Sequence, residues 1–180
     1  YYQMTSMLIK AKVDFNALCD QVLPGMQELM SDHAGRHKLS DFVLRYCHTT
    51  HILEMGETRF RKDYCKWAEK KGYRNHERMA ALIFATAQNG IPVLPNAPST
   101  QIVITEAIRV LHTVEASRDA ILTQMQALAK TLPEYSLVRE MPCIGDTLAP
   151  RLIAEIGDVR RFHSKRALIA CAGIDALPYQ

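Results

Sequence analysis

Residues 133–157, PEYSLVREMPCIGDTLAPRLIAEIG, contain two short helical patterns joined by a tight turn. Ser136–Glu140 predicts one short helix, and the apolar spacing within Asp146–Ile156 predicts a second. Pro142 and Gly145 lie between them, and these residue types mark turns because each favours backbone angles that interrupt a helix. The pattern predicts a helix-hairpin-helix element.

The turn itself has a chemistry that side chains do not supply. Backbone N–H groups at the start of a helix are unpaired, and the helix dipole adds partial positive charge there. A phosphate oxygen can accept these hydrogens, so the candidate nucleic-acid-binding residues of the turn are Ile144, Gly145, Asp146 and Thr147. We expect Gly145 to let backbone approach backbone, Ala149 to let the two helices pack closely, and Ile144 to anchor the turn. A helical corner without a ligand is the alternative at this point.

Basic residues follow the second helix and favour the nucleic-acid interpretation. They are Arg160, Arg161, Lys165 and Arg166, with His163 among them. A cationic cluster beside a phosphate-ready turn is what binding to a nucleic-acid backbone requires. Ser164 is expected to cap a third helix that runs through Ala172 and ends at Gly173. Cys143 must either bear a positive φ, at a cost on the order of 1 kcal/mol, or impose a different turn.

Upstream, the chain predicts helices throughout, and no strand pattern persists. We expect helices over Met4–Leu23, from Ser40 as N-cap through Tyr46, over Glu57–Lys71 up to Gly72, and over Asn75–Gln88. Residues 1–90 therefore form a helical region. Residues 91–98 hold three prolines in IPVLPNAP and are expected to be a linker and a domain boundary.

The longest predicted helix covers residues 99–132 and leads into a partial helix-hairpin-helix domain at 133–180. Its apolar stripe needs a partner helix, from this chain or from a second copy, so a coiled-coil-like homo-oligomer is expected. The stripe consists of Ile104, Ile108, Leu111, Val114, Ile121, Leu122, Met125, Leu128 and Leu132. The fold class expected is all-α.

Positive charge is concentrated in residues 59–78, which hold 8 basic and 3 acidic side chains in a chain of net charge +3. The spacing of Phe60, Tyr64 and Trp67 places them on one side of a helix, which favours core packing over a base-stacking platform. The cations remain outside, either as a solvated face or as a second phosphate-contact surface. This secondary basic patch consists of Arg59, Arg61, Lys62, Lys66, Lys70, Lys71 and Arg74.

Other functional classes find little support in the sequence. Apolar residues make up 48% of the chain and charged residues 23%, as in soluble globular proteins. The sequence predicts neither a signal peptide nor a membrane span, so we expect a cytoplasmic protein. Five scattered cysteines predict free thiols, and His33, His37, Cys47, His48 and His51 lack the paired spacing of zinc ligands and favour surface polar residues. Glu106, Glu115 and Asp119 are expected to be exposed helix charges. We therefore assign no catalytic residue, no metal ligand and no cofactor to this chain.

The C-terminal half closely resembles the insertion-sequence transposases of the 110/116/902 type. The matching text is EYSLVREMPCIGDTLAPRLIAEIGDVRRFHSKRALIACAGIDALPYQ at 134–180, preceded by ILTQMQALAKTLPEYS at 121–136 and NGIPVLPNAPST at 89–100. The hairpin and the segment GDVRRF are the most specific parts. Two positions depart from the family pattern: Cys143 replaces the usual glycine, and Cys171 replaces a common aromatic residue.

The resemblance implies a larger recombinase, of which this chain would be the central and part of the C-terminal portion. Such proteins resemble a RuvC-like acidic nuclease domain joined by a helical connector to a helix-hairpin-helix domain with a catalytic serine. The resemblance places the acidic residues, and their divalent metal, upstream of Tyr1 and the serine just after Gln180. It implies double-stranded DNA and a structured guide RNA as partners, and assembly as dimers or tetramers.

Two functions therefore remain open from the sequence. The first is a nucleic-acid-binding fragment of a transposase that acts in DNA recombination. The second is a helical dimerisation module without nucleic-acid binding, in which the basic segments are merely solvated. A self-sufficient nuclease is not expected.

Overall fold

The computed structural model describes residues 1–30, 37–74 and 76–171, and within them the chain is all-α, with no strand. This confirms the predicted fold class. The described residues form ten α-helices and one 3-10 turn: α1 (Tyr2–Val22), α2 (Met26–Leu29), α3 (Lys38–Tyr46), α4 (Thr49–Met55), α5 (Glu57–Lys71), α6 (His76–Asn89), α7 (Pro98–Ala129), α8 (Glu134–Glu140), α9 (Leu148–Ile156), the 3-10 turn Val159–Arg161, and α10 (Lys165–Cys171).

The chain divides into two compact units, Tyr1–Arg118 and Asp119–Gln180. The boundary between them falls within α7, whereas residues 91–98 belong wholly to the first unit. The predictions for His33, for a helix start at Asn75 and for the end of the last helix at Ala172 and Gly173 lie outside the described residues.

The core of the first unit is built from one face of each of its longer helices. In α1 the buried side chains are Leu8, Phe15, Cys19 and Val22, which repeat at intervals close to the helical period. Met7 precedes Leu8 but lies off this face, and it is 53% exposed. Each large apolar side chain buried in this way contributes roughly 1.5–3 kcal/mol to stability.

Helix α5 provides the aromatic part of this core. Phe60, Tyr64 and Trp67 are all buried, and they pack with Phe42 and Tyr46 of α3. The ring centroids of Tyr46 and Phe60 are 5.2 Å apart, and those of Phe42 and Tyr64 are 6.1 Å apart in an edge-to-face arrangement. The aromatic stripe is therefore core packing, as its spacing predicted, and it offers no surface on which a base could stack.

The end of α5 also agrees with the prediction. Gly72 follows Lys71 with φ 73°, a left-handed conformation that glycine adopts without the steric cost of a Cβ. The next helix, α6, packs against α5.

The predicted N-cap at Ser40 is wrong. Helix α3 begins at Lys38 with His37 as N-cap, so Ser40 lies inside the helix. Its hydroxyl donates to the His37 carbonyl at 3.2 Å, and its oxygen lies 3.1 Å from His112 Nε2 of α7. Ser40 is only 1% exposed, so it serves packing between α3 and α7 instead of ending a helix at the surface.

The proline-rich segment 91–98 has no helix until Pro98, as predicted, but it is fixed to the first unit. The amides of Val93 and Leu94 both donate to the carbonyl of Gln21 at the end of α1, at 2.8 and 3.1 Å. The Leu94 carbonyl in turn lies 2.9 Å from Nε2 of His48, which is 4% exposed and caps α4. His48 was expected at the surface, and its burial between α4 and this segment corrects that expectation.

The apolar stripe of α7 is correct for its first half only. Ile104, Ile108 and Leu111 are buried against the first unit. Toward the end of the helix Leu128 is 69% exposed, and the neighbouring Ala129 is buried instead. Leu128 departs from the predicted stripe because a strict 3-4 repeat drifts away from the helical period of 3.6 over several turns.

The second unit has a small core. Its buried side chains among the described residues are Ala129, Val138, Ala149 and Pro150. Helices α8 and α9 pack directly against each other. They bring the turn between them, residues 141–147, to the surface.

Candidate nucleic-acid interface

The turn between α8 and α9 is tight and strained at one position. Helix α8 ends at Glu140, and the amide of Ile144 donates back to the Met141 carbonyl at 3.3 Å. Cys143 has a φ of 67°, so it bears the left-handed conformation that the sequence raised as one of two outcomes. Its side chain is exposed and supports no packing that would offset this strain.

Three successive amides of the turn have no acceptor among the residues that the structure describes: those of Gly145, Asp146 and Thr147. The next two amides, of Leu148 and Ala149, both donate to the Gly145 carbonyl, at 3.1 and 3.0 Å. The Gly145 carbonyl therefore accepts the first hydrogen bonds of this helical segment, although regular α9 begins at Leu148, with Thr147 as its N-cap, and not at the predicted Asp146. The unpaired N–H groups are the first donors of this helical segment, where partial positive charge is greatest.

Pro150 explains an additional contact at the turn. Proline has no N–H, so the Asp146 carbonyl four residues earlier receives no helical hydrogen bond from it. Gln126 of α7 fills this place, because its Nε2 donates to the Asp146 carbonyl at 3.1 Å. The turn is thus fixed from α7 as well as from α8.

Two side chains of α8, Arg139 and Tyr135, form a clamp that holds the turn, and the sequence did not predict these contacts. Arg139 Nε lies 2.9 Å from the Asp146 carboxylate, and its Nη1 donates to the Ile144 carbonyl. Tyr135 donates its hydroxyl to the same carboxylate at 3.2 Å. The Asp146 side chain therefore has its negative charge compensated by Arg139, and only its backbone N–H is free to meet an anion.

Other parts of the predicted hairpin chemistry have mixed outcomes. Ala149 is fully buried between the two helices, as the packing argument expected, and Ile144 is half-buried. The close backbone approach expected at Gly145 is wrong, because no atom lies within 4 Å of the place where a Cβ would stand. Space at Gly145 is open toward solvent, so the turn is accessible rather than packed.

The basic cluster after α9 is exposed, and it is held by local contacts. Arg160 is paired with Asp158 at 3.4 Å and reaches Glu134 at 3.9 Å, although its side chain remains 79% exposed. The guanidinium of Arg161 lies 4.7 Å from the ring centre of Phe162. No ion pair or hydrogen bond connects Arg160 or Arg161 with residues 144–147 in the described part of the chain.

The helix that follows these arginines begins as the sequence predicted. Ser164 accepts a hydrogen bond from the Ala167 amide at 3.2 Å and so caps α10. Lys165 and Arg166 are exposed in its first turn. All four predicted cations of the second unit therefore lie on its surface, and Arg160 among them has two carboxylate partners.

The secondary basic patch of the first unit is only partly unpaired. Arg61 bonds to Glu57 at 3.4 Å, and Lys71 bonds to Asp41 at 2.8 Å. The other five side chains are exposed and have no ion-pair partner among the described residues: Arg59, Lys62, Lys66, Lys70 and Arg74.

The carboxylates tested for catalysis have structural partners. Glu106 bonds to Arg109 at 2.7 Å. Glu115, expected at the surface, has a side chain only 19% exposed and lies near Lys12 and His37, at 3.8 and 3.6 Å. No group of three or more potential metal ligands occurs in the part of the chain that the structure describes.

The cysteines differ in burial. All five are free thiols. Burial, with a smaller contribution from Asp20, raises the pKa of Cys19 to about 12. Cys143 and Cys171 are exposed, and Cys143 lies in the candidate turn.

The family model described as Transposase IS116/IS110/IS902 family matches residues 135–180. This match supports an insertion-sequence transposase and a role in transposition. It spans roughly a quarter of the chain, including α8, the candidate turn, α9 and α10. No curated protein and no solved structure matches the chain. Among the described helices, none combines the length and the apolar character that crossing a membrane requires.

Proposed function

We propose that this chain binds the phosphate backbone of double-stranded DNA during transposition, through the turn before α9 and the cations that follow α9. The observation that carries the proposal is the row of three unpaired amides at Gly145, Asp146 and Thr147. Phosphate oxygens are strong acceptors, and an amide row at the start of a helix binds them without reading the bases.

The clamp on the turn supports this proposal because it fixes the amides before any ligand arrives. Arg139 and Tyr135 hold the Asp146 side chain, and Gln126 holds its carbonyl. A preorganised site loses less conformational entropy on binding than a flexible loop would. The contact would be sequence-independent and would position a larger protein on its DNA.

The exposed cations supply the long-range attraction that the amides lack. Arg160, Arg161, Lys165 and Arg166 all lie on the surface of the same unit. Each phosphate that they neutralise would release condensed counterions, which makes binding depend steeply on salt. We propose a structured guide RNA as a second partner, on the resemblance alone, and we assign the chemical steps of recombination to no residue of this chain.

A helical dimerisation module is the second candidate, and exposed apolar side chains favour it. Ile9 and Val13 of α1 are each 60% exposed, and Val103 and Val110 of α7 are 53% and 46% exposed. Burial of such residues in a second copy would give a homo-oligomer through α7. This assembly is compatible with DNA binding, but it would be insensitive to salt.

The test is a titration of the chain with duplex DNA at two salt concentrations. We expect affinity to fall steeply with salt, and we expect the double variant Arg160→Glu and Arg161→Glu to lower affinity more than tenfold because it reverses two charges at the site. The matched control is Lys10→Glu with Arg109→Glu, which changes net charge equally on the exposed surface of the first unit. Equal losses in both variants, or binding insensitive to salt, would contradict the proposed interface.

A further inference from the structure

Four cations of α5 form a row along one side of the helix. Arg59, Lys62, Lys66 and Lys70 are spaced by 3, 4 and 4 residues, so they fall within a narrow arc of the helix surface. This arc lies opposite the buried Phe60 face. At 1.5 Å per residue, the row extends for about 16 Å.

None of these four side chains has an ion-pair partner within the described chain, although nearby cations do. Arg61 is bonded to Glu57, and Lys71 is bonded to Asp41. Asp63 interacts electrostatically with Arg59, but Arg45 holds both oxygens of Asp63 at 2.8 Å, and the Tyr46 hydroxyl lies 2.9 Å from it. Like charges one turn apart destabilise a helix, so the row is unfavourable unless an anion covers it.

The row of α5 cations presents positive charge, but it has no aromatic ring on which a base could stack. The aromatic residues of α5 are all in the core, so no ring is available for an unstacked base. Recognition of single strands relies on such rings, whereas a duplex exposes only its phosphates to a protein that does not enter the grooves. A straight line of flexible lysines suits the second kind of ligand.

A groove lies beside the row of α5 cations. It lies on α5 and the start of α6, and Lys62 and Lys66 share it with the carboxylates of Glu57, Glu69 and Glu77. Three cations and three carboxylates line the groove, so we expect a phosphate to meet Lys62 and Lys66 on the exposed side of α5 and not inside the groove.

We infer that Arg59, Lys62, Lys66 and Lys70 bind the phosphate backbone of duplex DNA as a second surface, separate from the turn before α9. This inference rests on the proposed function in that it takes the same class of ligand. It differs in place and in chemistry, since side-chain charges make the contact on the first unit and backbone amides make it on the second.

The first experiment measures the salt dependence of duplex binding by the full chain. In the triple variant Lys62→Gln, Lys66→Gln and Lys70→Gln we expect the slope of log affinity against log salt to become shallower by roughly 2–3, because each lost phosphate contact removes about 0.9. The matched control, Lys10→Gln, Arg109→Gln and Lys130→Gln, removes the same net charge from scattered exposed positions. A slope that changes equally in both variants would overturn the inference.

The second experiment measures directly whether duplex DNA covers the lysines of the α5 row. Acetylation of lysine amines, read by mass spectrometry, should slow at Lys62, Lys66 and Lys70 when duplex DNA is added, and should not slow at Lys10. Unchanged acetylation of the three lysines at saturating duplex would overturn the inference. Protection by a structured RNA hairpin and not by duplex DNA would overturn the assignment to DNA.

The two proposals fail differently. If Arg160→Glu with Arg161→Glu removes binding while the three lysines stay unprotected, the turn interface stands and the α5 surface is wrong. If the lysines are protected and the arginine variant binds normally, the α5 surface stands and the interface on the second unit is wrong.

Discussion

Replacement of Cys143 by glycine should stabilise the turn between α8 and α9. Cys143 has a φ of 67°, a conformation that costs a side-chain-bearing residue roughly 1–2 kcal/mol. Glycine removes this strain but gives up about 0.5–1 kcal/mol, because it gains more freedom in the unfolded chain. The Cys143 side chain is exposed, so no packing is lost. The net expectation is a gain of about 0.5–1 kcal/mol.

The assay must report the second unit. Trp67, the single tryptophan, lies in the core of the first unit, so its fluorescence would not follow the turn. Amide hydrogen exchange in α8 and α9 is suitable, and a gain of this size should slow exchange through local opening about two- to fivefold. A tighter turn should also raise affinity for duplex DNA.

Two control variants separate backbone strain from the identity of the side chain. Cys143→Ala keeps the strain and should leave exchange nearly unchanged. Gly157→Ala places a Cβ at φ 65° and ψ −143°, a conformation that is strained for every residue except glycine. This variant should speed amide hydrogen exchange in α9. If Cys143→Gly and Cys143→Ala behave alike, the strain argument at this turn is refuted.

Three further changes test the packing. Tyr64→Phe should raise the free energy of unfolding of the first unit by about 1 kcal/mol, measured by urea titration of Trp67 fluorescence, since the buried Tyr64 hydroxyl has no partner among the described residues. A loss of stability would show that the hydroxyl has a partner after all. Ala149→Leu should cost about 1–3 kcal/mol in α8–α9 exchange through overpacking, and unchanged exchange would mean that the helices do not meet there. The pKa of Cys19 in the folded chain, about 12, lies above that of a thiol in the unfolded chain. The folded state therefore keeps this proton to higher pH, and the free energy of unfolding should fall as pH rises from about 9 toward 12. A Cys19→Ala variant should lose less stability over this range.

Local patterns in the sequence predicted much of the fold. Helix α5 was predicted with both of its bounds, because Gly72 is a strong local stop and the aromatic spacing at Phe60, Tyr64 and Trp67 identifies a buried face. The all-α class followed from the same kind of periodicity. These signals depend on residues within about one helical turn of each other along the chain, so they can be read from the sequence directly.

Long-range contacts explain the failures. Ser40 has the composition of an N-cap, but its contact with His112 places it inside α3, and no local rule reveals a partner 72 residues away. His48 was likewise predicted to be a surface polar residue, but it is buried because the segment at Leu94 covers it. Burial that is created by a distant segment cannot be inferred from one stretch of sequence.

The candidate site shows the same division. The start of a helix predicted free amides at Ile144, Gly145, Asp146 and Thr147. The last three have no acceptor among the described residues, whereas the Ile144 amide donates to the Met141 carbonyl, so the prediction for Ile144 is wrong. The clamp by Arg139 was not predicted, because an arginine seven residues before an aspartate has no fixed geometry until the turn between them is known. Pro150 is a local signal for the second contact, because a proline leaves the carbonyl four residues earlier, that of Asp146, without a helical donor, and Gln126 takes this place.

Backbone amide NMR during titration with a short DNA duplex tests the central claim most directly, because it observes the proposed donors themselves. We expect the amide resonances of Gly145, Asp146 and Thr147 to shift progressively and to saturate, and we expect added salt to reverse the shifts. Binding that moves other resonances while these three stay in place would contradict the claim that the turn before α9 holds phosphate.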